Sequence, residues 1–432
     1  MAGPSQEASE SAARRPRVLV LDEWVPYPPD TGKRVRTWNL LRRLARWHRI
    51  SLLCYGEPEG EVASAVRSAG IHLHTVTPLA GKDAWRLYPR LAANLFSPYP
   101  FSVKKHYTRR FRKRLKDLLD EEHFDLVHCE WAPYARFLSN VGRIPTIVMA
   151  HNIESQIWSR RARQSRTVAE RAFFSSQARK MESFERRALT RAGRVAVVTA
   201  LDGEQLAAWG VRHISLVENG VDLDQFVPAE ETPLLGHILF CGSLDWDPNL
   251  DALDFLLEEI MPPLIQRLPG VKLRIVGKGP SSSLRKRLAG RANVEFVGEV
   301  SDVRPYLAQT SVVVVPLRIG GGSRIKILEA LAMGKAVVST SIGAEGLAVS
   351  DGVHLVLADT PAEFASRAVE LLTSPQESRR LGENGRRLVV DRYSWDRAAK
   401  AMESAWRQVC EPCPTTASVR RIPEQQEVEI IP

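Results

Sequence analysis

The chain has 432 residues, 44% of them hydrophobic and 25% charged, which excludes a disordered or fibrous architecture for its bulk and predicts two or three domains. Lys and Arg number 60 against 50 Asp and Glu, a net charge of +10 that points to an anionic partner: nucleic acid, anionic lipid or a phosphorylated substrate. No run approaches the ~18 uncharged apolar residues of a spanning helix. Val18 to Leu21 is too short for a secretory leader, so the expectation is a soluble or surface-bound protein of the cytoplasm.

Residues 1–16 read as a disordered tail. From Arg17 onward, short apolar runs alternate with amphipathic segments. Strands are predicted over 17–22, 50–55, 71–76, 125–129, 146–150, 195–199 and 214–217, with helical patterns between most of them, for example 35–47 and 155–191. The connection 218–235 contains Asn219-Gly220 and two prolines, a loop composition. A second alternation starts at Gly236, with strands over 237–241, 272–276, 294–297, 311–316, 336–339 and 354–357. Helices are predicted over 250–268, 282–289, 301–308, 323–333, 361–373, 375–390 and 394–409. Apolar strands without alternation, separated by helices, indicate parallel sheets covered on both faces. The predicted fold class is therefore α/β, with two Rossmann-like, doubly wound domains at 17–228 and 235–391 facing a cleft. The helix at 392–410 packs back on the first domain, and 411–432 form a tail. Cys54, Cys129 and Cys241 end apolar runs as buried thiols, and Cys410 with Cys413 makes a lone C-x-x-C without the ligand set zinc requires.

Open parallel sheets bind ligands beyond the carboxyl ends of their strands, so two facing sheets suit a two-substrate enzyme. The richest strand end is Pro316 to Lys326. Gly320, Gly321 and Gly322 let backbone N–H groups approach an anion, the helix predicted from Ser323 points its positive end there, and Arg318, Arg324 and Lys326 add charge. The segment is not a Walker motif, because Gly-Lys-Ser/Thr is absent. Glu329 follows in an apolar context, where an acid needs hydrogen-bond donors and a ribose diol supplies two. After the first strand, Asp30 or Thr31 can cap the next helix and Gly32 allows close approach of a phosphate or sugar.

These residues resemble the retaining GT-B glycosyltransferases of family 4, of the glycosyl group 1 type. The resemblance runs from about Arg17 to Trp406. It is carried by Phe240-Cys241-Gly242-Ser243, Val276-Gly277-Lys278-Gly279, Val297-Gly298-Glu299-Val300, the segment Glu329 to Val338, Glu345-Gly346-Leu347 and Asn219-Gly220-Val221-Asp222. Within the family the chain is similar to the branch of sugar transferases associated with exopolysaccharide systems. The resemblance implies a nucleotide diphosphate sugar bound by the C-terminal half, no required metal or other cofactor, and Glu329 as the ribose ligand. The family's first paired glutamate would fall on Gly321 and is missing, and Ser243-Leu244-Asp245-Trp246 occupies the loop where an Arg and a Lys are usual. In the N-terminal half, His128-Cys129-Glu130 puts Glu130 where a reactive-site histidine is common, and the next strand ends in His151-Asn152-Ile153-Glu154. Glu130 and His151 are assigned to orienting an acceptor hydroxyl. Arg324 and Lys326, together with Arg318 and the glycine amides, are assigned to stabilising the departing diphosphate.

Between the third and fourth strands, eight of the thirteen residues from Lys104 to Lys116 are Lys or Arg: Lys104, Lys105, Arg109, Arg110, Arg112, Lys113, Arg114 and Lys116. Phe101, Tyr107, Phe111, Leu115 and Leu118 recur at helical spacing. A basic amphipathic helix of this kind is expected to lie on an anionic membrane, on the inner face of the plasma membrane, where lipid-linked acceptors are common for the family; no nucleic-acid recognition motif accompanies it. Two rival readings remain. One is a sugar-nucleotide-binding protein that has lost catalysis, motivated by the missing glutamate and the Glu130 substitution. The other is a dinucleotide-dependent oxidoreductase, against which the first strand–helix turn, Asp22 to Tyr27, lacks Gly-x-Gly-x-x-Gly.

Overall fold

The computed structural model describes residues 15–77, 91, 93–165, 167–229, 234–319 and 324–411. Most of the two expected tails, Cys413 and the run Gly320 to Ser323 lie outside the described residues.

The first seven strands are β1 (Arg17–Trp24), β2 (Arg49–Tyr55), β3 (Ile71–Val76), β4 (Leu126–Cys129), β5 (Thr146–Ala150), β6 (Arg194–Val197) and β7 (Ile214–Leu216). They form one sheet in the order β3-β2-β1-β4-β5-β6-β7, parallel throughout. The next six are β8 (His237–Cys241), β9 (Lys272–Val276), β10 (Val294–Gly298), β11 (Val312–Val315), β12 (Ala336–Ser339) and β13 (Val356–Leu357). These pair in parallel as β10-β9-β8-β11-β12-β13. The expected two-domain, doubly wound α/β architecture is therefore present. Helices cover both faces of each sheet, which is why runs such as Val312 to Val315 are apolar at every position and buried at every position.

In each sheet the first strand sits between the second and the fourth, so chain growth reverses beside it. At that switch point the loops leaving neighbouring strands diverge and open a crevice. Register places Leu21 beside Cys129 in the first sheet and Val313 beside Leu239 in the second. The residues that follow these pairs, Asp22 to Trp24 with Glu130 and Trp131, and Cys241 to Ser243 with Pro316 to Arg318, therefore stand at the strand ends that flank the two crevices.

The predicted helix over 155–191 is two helices, Glu154–Arg163 and Val168–Leu189. The break comes because the Thr167 hydroxyl caps the second, accepting from the Glu170 amide at 3.2 Å. The second helix then caps the first: the Glu185 carboxylate accepts from the amides of Glu154 (2.7 Å) and Ser155 (3.1 Å). Burial pushes the Glu185 carboxyl up to about 8 despite those donors. The pattern over 250–268 is continuous from Asp247 to Arg267, with a π turn at Leu256–Ile260 ahead of Pro262 and Pro263. Helices at Gly60–Ser68, Ala200–Ala208 and Ser341–Ala344, and a 3-10 segment at Ala132–Asn140, carry weaker patterns that the sequence reading omits.

The helix Trp395–Cys410 lies against the helix Gly32–Leu44 and buries Trp395 and Trp406 in the core of the first domain. The backbone thus crosses between the domains twice, and the crossings are stapled together. The Val221 amide donates to the Tyr393 carbonyl at 3.1 Å. The Arg36 guanidinium, buried nearby, donates to the carbonyls of Val217 (2.8 Å) and Glu218 (3.1 Å). A Cβ on Gly220 would stand 2.4 Å from the Trp395 nitrogen and 2.5 Å from the Ser394 carbonyl carbon, both backbone atoms. Gly220→Ala is therefore expected to cost about 1–3 kcal/mol, read as a lower denaturation midpoint at unchanged slope; an unaltered midpoint would show that the crossings are loosely held.

Candidate active site

On the C-terminal side the site is built around Lys326 and Glu329, one turn apart on the helix Ile325–Ala332. Lys326 Nζ donates to Asn249 Oδ1 at 2.9 Å and lies 5.5 Å from the centre of the Phe240 ring. Gly242 makes the room: a Cβ there would stand 3.0 Å from Nζ and 2.7 Å from Asn249 Nδ2. Burial pulls the Lys326 ammonium down to about 8, and burial pushes the Glu329 carboxyl up to about 7 against the pull of Lys326. The helix starts at Ile325, two residues after the predicted start at Ser323. Its amino end lies close to the amino end of the helix Gly32–Leu44, since a Cβ on Gly32 would lie 4.0 Å from Ile325 Cδ1. Thr31 rather than Asp30 caps that second helix, and Asp30 instead pairs with Arg34 and, across the domains, with Lys278.

The three cations expected at one point separate. Arg318 turns to the helix Asp247–Phe255, where it pairs with Asp251 at 2.9 Å and lies 4.4 Å from the Phe255 ring; it also reaches Glu259 at 3.3 Å. Arg324 is buried at the domain boundary and donates to the carbonyls of Gly343 (3.2 Å) and Ile342 (3.0 Å). Burial pulls it down to about 10, opposed by Glu345. Lys326, with Glu329 and with Arg324 close behind, is what remains of the expected cluster among the described residues. Gly320, Gly321, Gly322 and Ser323 fall outside them.

On the N-terminal side Glu130 does not face the cleft. It is 2% exposed. Oε1 accepts from the Thr37 hydroxyl at 3.0 Å and Oε2 contacts His128 Nε2 at 2.7 Å. Burial pushes this carboxyl up, but the hydrogen bonds from His128 and His151 outweigh it and hold Glu130 well below the usual carboxylate range. Its assignment as a group that meets the acceptor is corrected by this geometry: Glu130 supports His151, whose Nε2 donates to the Glu130 carbonyl at 2.7 Å and lies 3.3 Å from Oε1. Burial lowers the His151 imidazole below its ordinary value, so it is neutral near pH 7.

Residues without an assigned role complete this mouth. Lys33 pairs with Asp22 at 2.5 Å and lies 5.2 Å from the centre of the Trp131 ring. The Trp131 indole donates to Glu154 Oε1 at 2.8 Å. Lys33 adjoins Gly32 in the first turn, yet its direction into the mouth is not readable from a turn sequence. Across the boundary, Arg160 holds Glu345 with two bonds of 2.7 Å, Gln164 donates to the Arg318 carbonyl at 3.2 Å, and Gly346 abuts Thr199. Glu345-Gly346 is among the motif residues of the resemblance, and its work here is to join the domains.

The basic segment is two helices, Phe101–His106 and Arg109–Glu121, because Thr108 caps the second. The apolar stripe expected to enter a membrane is core: Phe111, Leu115 and Leu118 are fully buried in the first domain. Arg114 turns to Glu121 and His74, and Arg112 stacks on Tyr107. Lys104, Lys105, Arg109, Arg110, Lys113 and Lys116 remain exposed, and just before them stands Phe96, 93% exposed. No helix among the described residues is long and apolar enough to cross a membrane, and no group of three or more His, Cys, Asp or Glu among them is arranged to hold a metal ion.

Two family matches divide the chain: residues 31–225 match "Glycosyltransferase Family 4" and residues 236–374 match "Glycosyl transferases group 1". The phosphatidyl-myo-inositol mannosyltransferase of Mycobacterium tuberculosis is 32% identical over 230 residues, 50% of this chain and 60% of that protein. The D-inositol 3-phosphate glycosyltransferase of Segniliparus rotundus is 27% identical over 216 residues, 45% of this chain and 46% of that protein. The chain thus spans about 60% or less of the length of these curated relatives. Among solved structures, Anabaena HepE in complex with UDP-glucose has a TM-score of 0.66 at 14% identity, covering 91% of this chain and 99% of that one. Sucrose-phosphate synthase of Thermosynechococcus elongatus has a TM-score of 0.69 at 17% identity, with coverage of 91% and 99%. The fold is the GT-B arrangement.

The boundary pair yields a test. Removing the carboxylate in Glu345→Ala leaves Arg160 beside the buried Arg324, so it is expected to cost about 1–3 kcal/mol and more than Arg160→Ala. Denaturation of the two variants checks the order, and the reverse order would show that Glu345 does not balance Arg324.

Proposed function

We propose that this chain, a GT-B glycosyltransferase, moves a hexosyl group from a nucleoside diphosphate sugar to a glycan or lipid-linked acceptor, with retention of configuration and without a required metal. The observation that carries the reading is the placement of Lys326 and Glu329 one turn apart beside two neighbouring helix amino ends, with the neutral His151 at the end of a strand of the other sheet. Breaking the anomeric bond leaves negative charge on the departing diphosphate. The Lys326 ammonium and the helix dipoles are fixed before that charge develops, which is where electrostatic stabilisation is strongest. Glu329, short of donors in its apolar surroundings, accepts from the ribose hydroxyls. His151 orients the acceptor hydroxyl, and Arg324 adds charge from the domain boundary. The Anabaena neighbour binds UDP-glucose and the mycobacterial relatives carry mannosyltransferase names, which supports this class of donor and acceptor. Retention and a role in exopolysaccharide synthesis follow the family-4 resemblance.

Lys326→Ala is expected to lower transfer by roughly 10²–10³-fold, and Arg324→Ala also to lower it; near wild-type turnover in both would overturn the assignment. The pH dependence has a definite sign on each limb. A bound diphosphate favours the Lys326 ammonium and a bound ribose the ionised Glu329, so donor affinity falls as pH rises through about 8 and also as pH drops through about 7. Lys326→Arg removes that basic limb. Thermal shifts with a panel of nucleoside diphosphates read affinity directly. Slow donor hydrolysis in the absence of acceptor separates an enzyme from a binding protein that has lost catalysis.

The six exposed cations with Phe96 beside them constitute the proposed contact with an anionic cytoplasmic leaflet, each cation contributing about 1 kcal/mol near such a surface. Anionic vesicles should bind the protein at low salt and release it as salt rises, and Lys104→Glu with Arg109→Glu should weaken binding further. Equal binding to neutral vesicles would remove the membrane from the reading.

A further inference from the structure

Glu130 and His128 lie beneath the mouth of the first sheet, and a side chain from the far end of the chain closes the line they form. Trp406, 1% exposed on the helix Trp395–Cys410, donates its indole N–H to Nδ1 of His128 at 3.0 Å. An indole nitrogen can only donate. Nδ1 of His128 is therefore the bare nitrogen, and its proton sits on Nε2, which donates to Glu130 Oε2 at 2.7 Å. The other oxygen of Glu130 already accepts from Thr37. A carboxylate surrounded by donors stays ionised. Together with the Glu130 carbonyl it requires a proton on Nε2 of His151, at 3.3 Å and 2.7 Å respectively. The lone pair of His151 is thereby confined to Nδ1.

We propose that Trp406 is a positioning residue: through His128 and Glu130 it fixes the tautomer and orientation of His151, so that the last helix of the chain completes the acceptor side of the active site. This rests on the assignment of His151 to the acceptor hydroxyl made above. The logic is that of a carboxylate behind an imidazole, extended by one ring and one indole. Packing alone needs only a flat ring, because the indole meets His128 edge-on at 5.6 Å and His48 edge-on at 5.1 Å. The hydrogen bond is what a phenyl ring cannot supply. The charged and titratable groups around the line are Asp22 from β1, Lys33 and Arg36 from the helix Gly32–Leu44, and His48, Glu403 and Arg407 around Trp406.

The experiment compares full-length wild type, Trp406→Phe and, as a packing control, Trp395→Phe. Nitrogen-15 spectra of the histidine side chains read the tautomers without reference to activity. Hydrolysis of the nucleotide sugar that the thermal-shift panel selects, UDP-glucose where UDP binds and a guanosine diphosphate hexose where GDP binds, with water in the acceptor's place, reads turnover. Expected are a bare Nδ1 on His128 and His151 in the wild type and a mixture of His128 tautomers in Trp406→Phe. Turnover in Trp406→Phe should drop roughly ten- to a hundredfold at unchanged KM, with a melting temperature no lower than that of Trp395→Phe. A wild-type His128 protonated on Nδ1 overturns the proposal even if the variant does not fold. So does a Trp406→Phe enzyme at wild-type turnover, or equal losses of turnover and melting temperature in both variants. Should the wild type bind no nucleoside diphosphate of the thermal-shift panel and hydrolyse no nucleotide sugar, the proposed function fails instead, and the spectra still decide the role of Trp406.

Discussion

Two parallel sheets can share a ligand only if their carboxyl edges are held face to face, and in this chain that constraint is met where the backbone crosses between the domains twice. Gly220 and Ser394–Trp395 pack backbone against backbone with no room for a methyl group, and Val221 is bonded to Tyr393 beside them. On the far side of the cleft, Arg160 with Glu345 and Lys278 with Asp30 close the same gap through side chains. Charged contacts between partly exposed groups are weaker and more easily exchanged than packed backbone. The domains are thus joined by packed backbone at the crossings and by partly exposed ion pairs elsewhere, and the ion pairs are the more easily exchanged contacts.

Two glutamates at the two mouths show how environment divides one residue type between two tasks. Glu130 and Glu329 both lose hydration. Glu130 is met by the hydroxyl of Thr37 and the imidazoles of His128 and His151, and it is held well below the usual range. Glu329 is opposed chiefly by the charge of Lys326 and rises to about 7. A carboxylate whose donors come from the protein is part of the framework. One that is desolvated but underprovided is poised for donors from outside. His151, one strand over, sets an imidazole against that framework carboxylate.

The strands were legible because burial on both faces leaves no polar position to interrupt Val312 to Val315 or Leu52 to Cys54, and strand order then places the crevices by topology alone. Side-chain direction was not legible. Arg318, Arg324 and Lys326 are close in sequence, but Arg318 follows β11 while Lys326 lies on the helix Ile325–Ala332, and each finds a partner farther off along the chain: Asp251, the Ile342 and Gly343 carbonyls, and Asn249. Spacing alone could not separate a stripe that enters a membrane from one that enters a core; Phe111, Leu115 and Leu118 have the periodicity of both, and the buried answer depends on Tyr134 and Phe137 packed over them.

The returning helix is where these threads meet. Without this helix the first sheet's core would lie open over Leu40, Leu41 and Leu44, which Trp395, Met402 and Trp406 cover. That apolar burial alone accounts for a helix being there. It does not account for an indole whose one polar hydrogen is aimed at the imidazole behind Glu130, because a buried N–H is costly unless it finds an acceptor. The helix follows directly from Tyr393, at the staple between the crossings, and it ends under the strand that carries His128. Any displacement of the staple that moves the second domain also pulls on the helix that carries Trp406. The two halves of the cleft are therefore joined through covalent chain and packed side chains, independently of any ligand that bridges them.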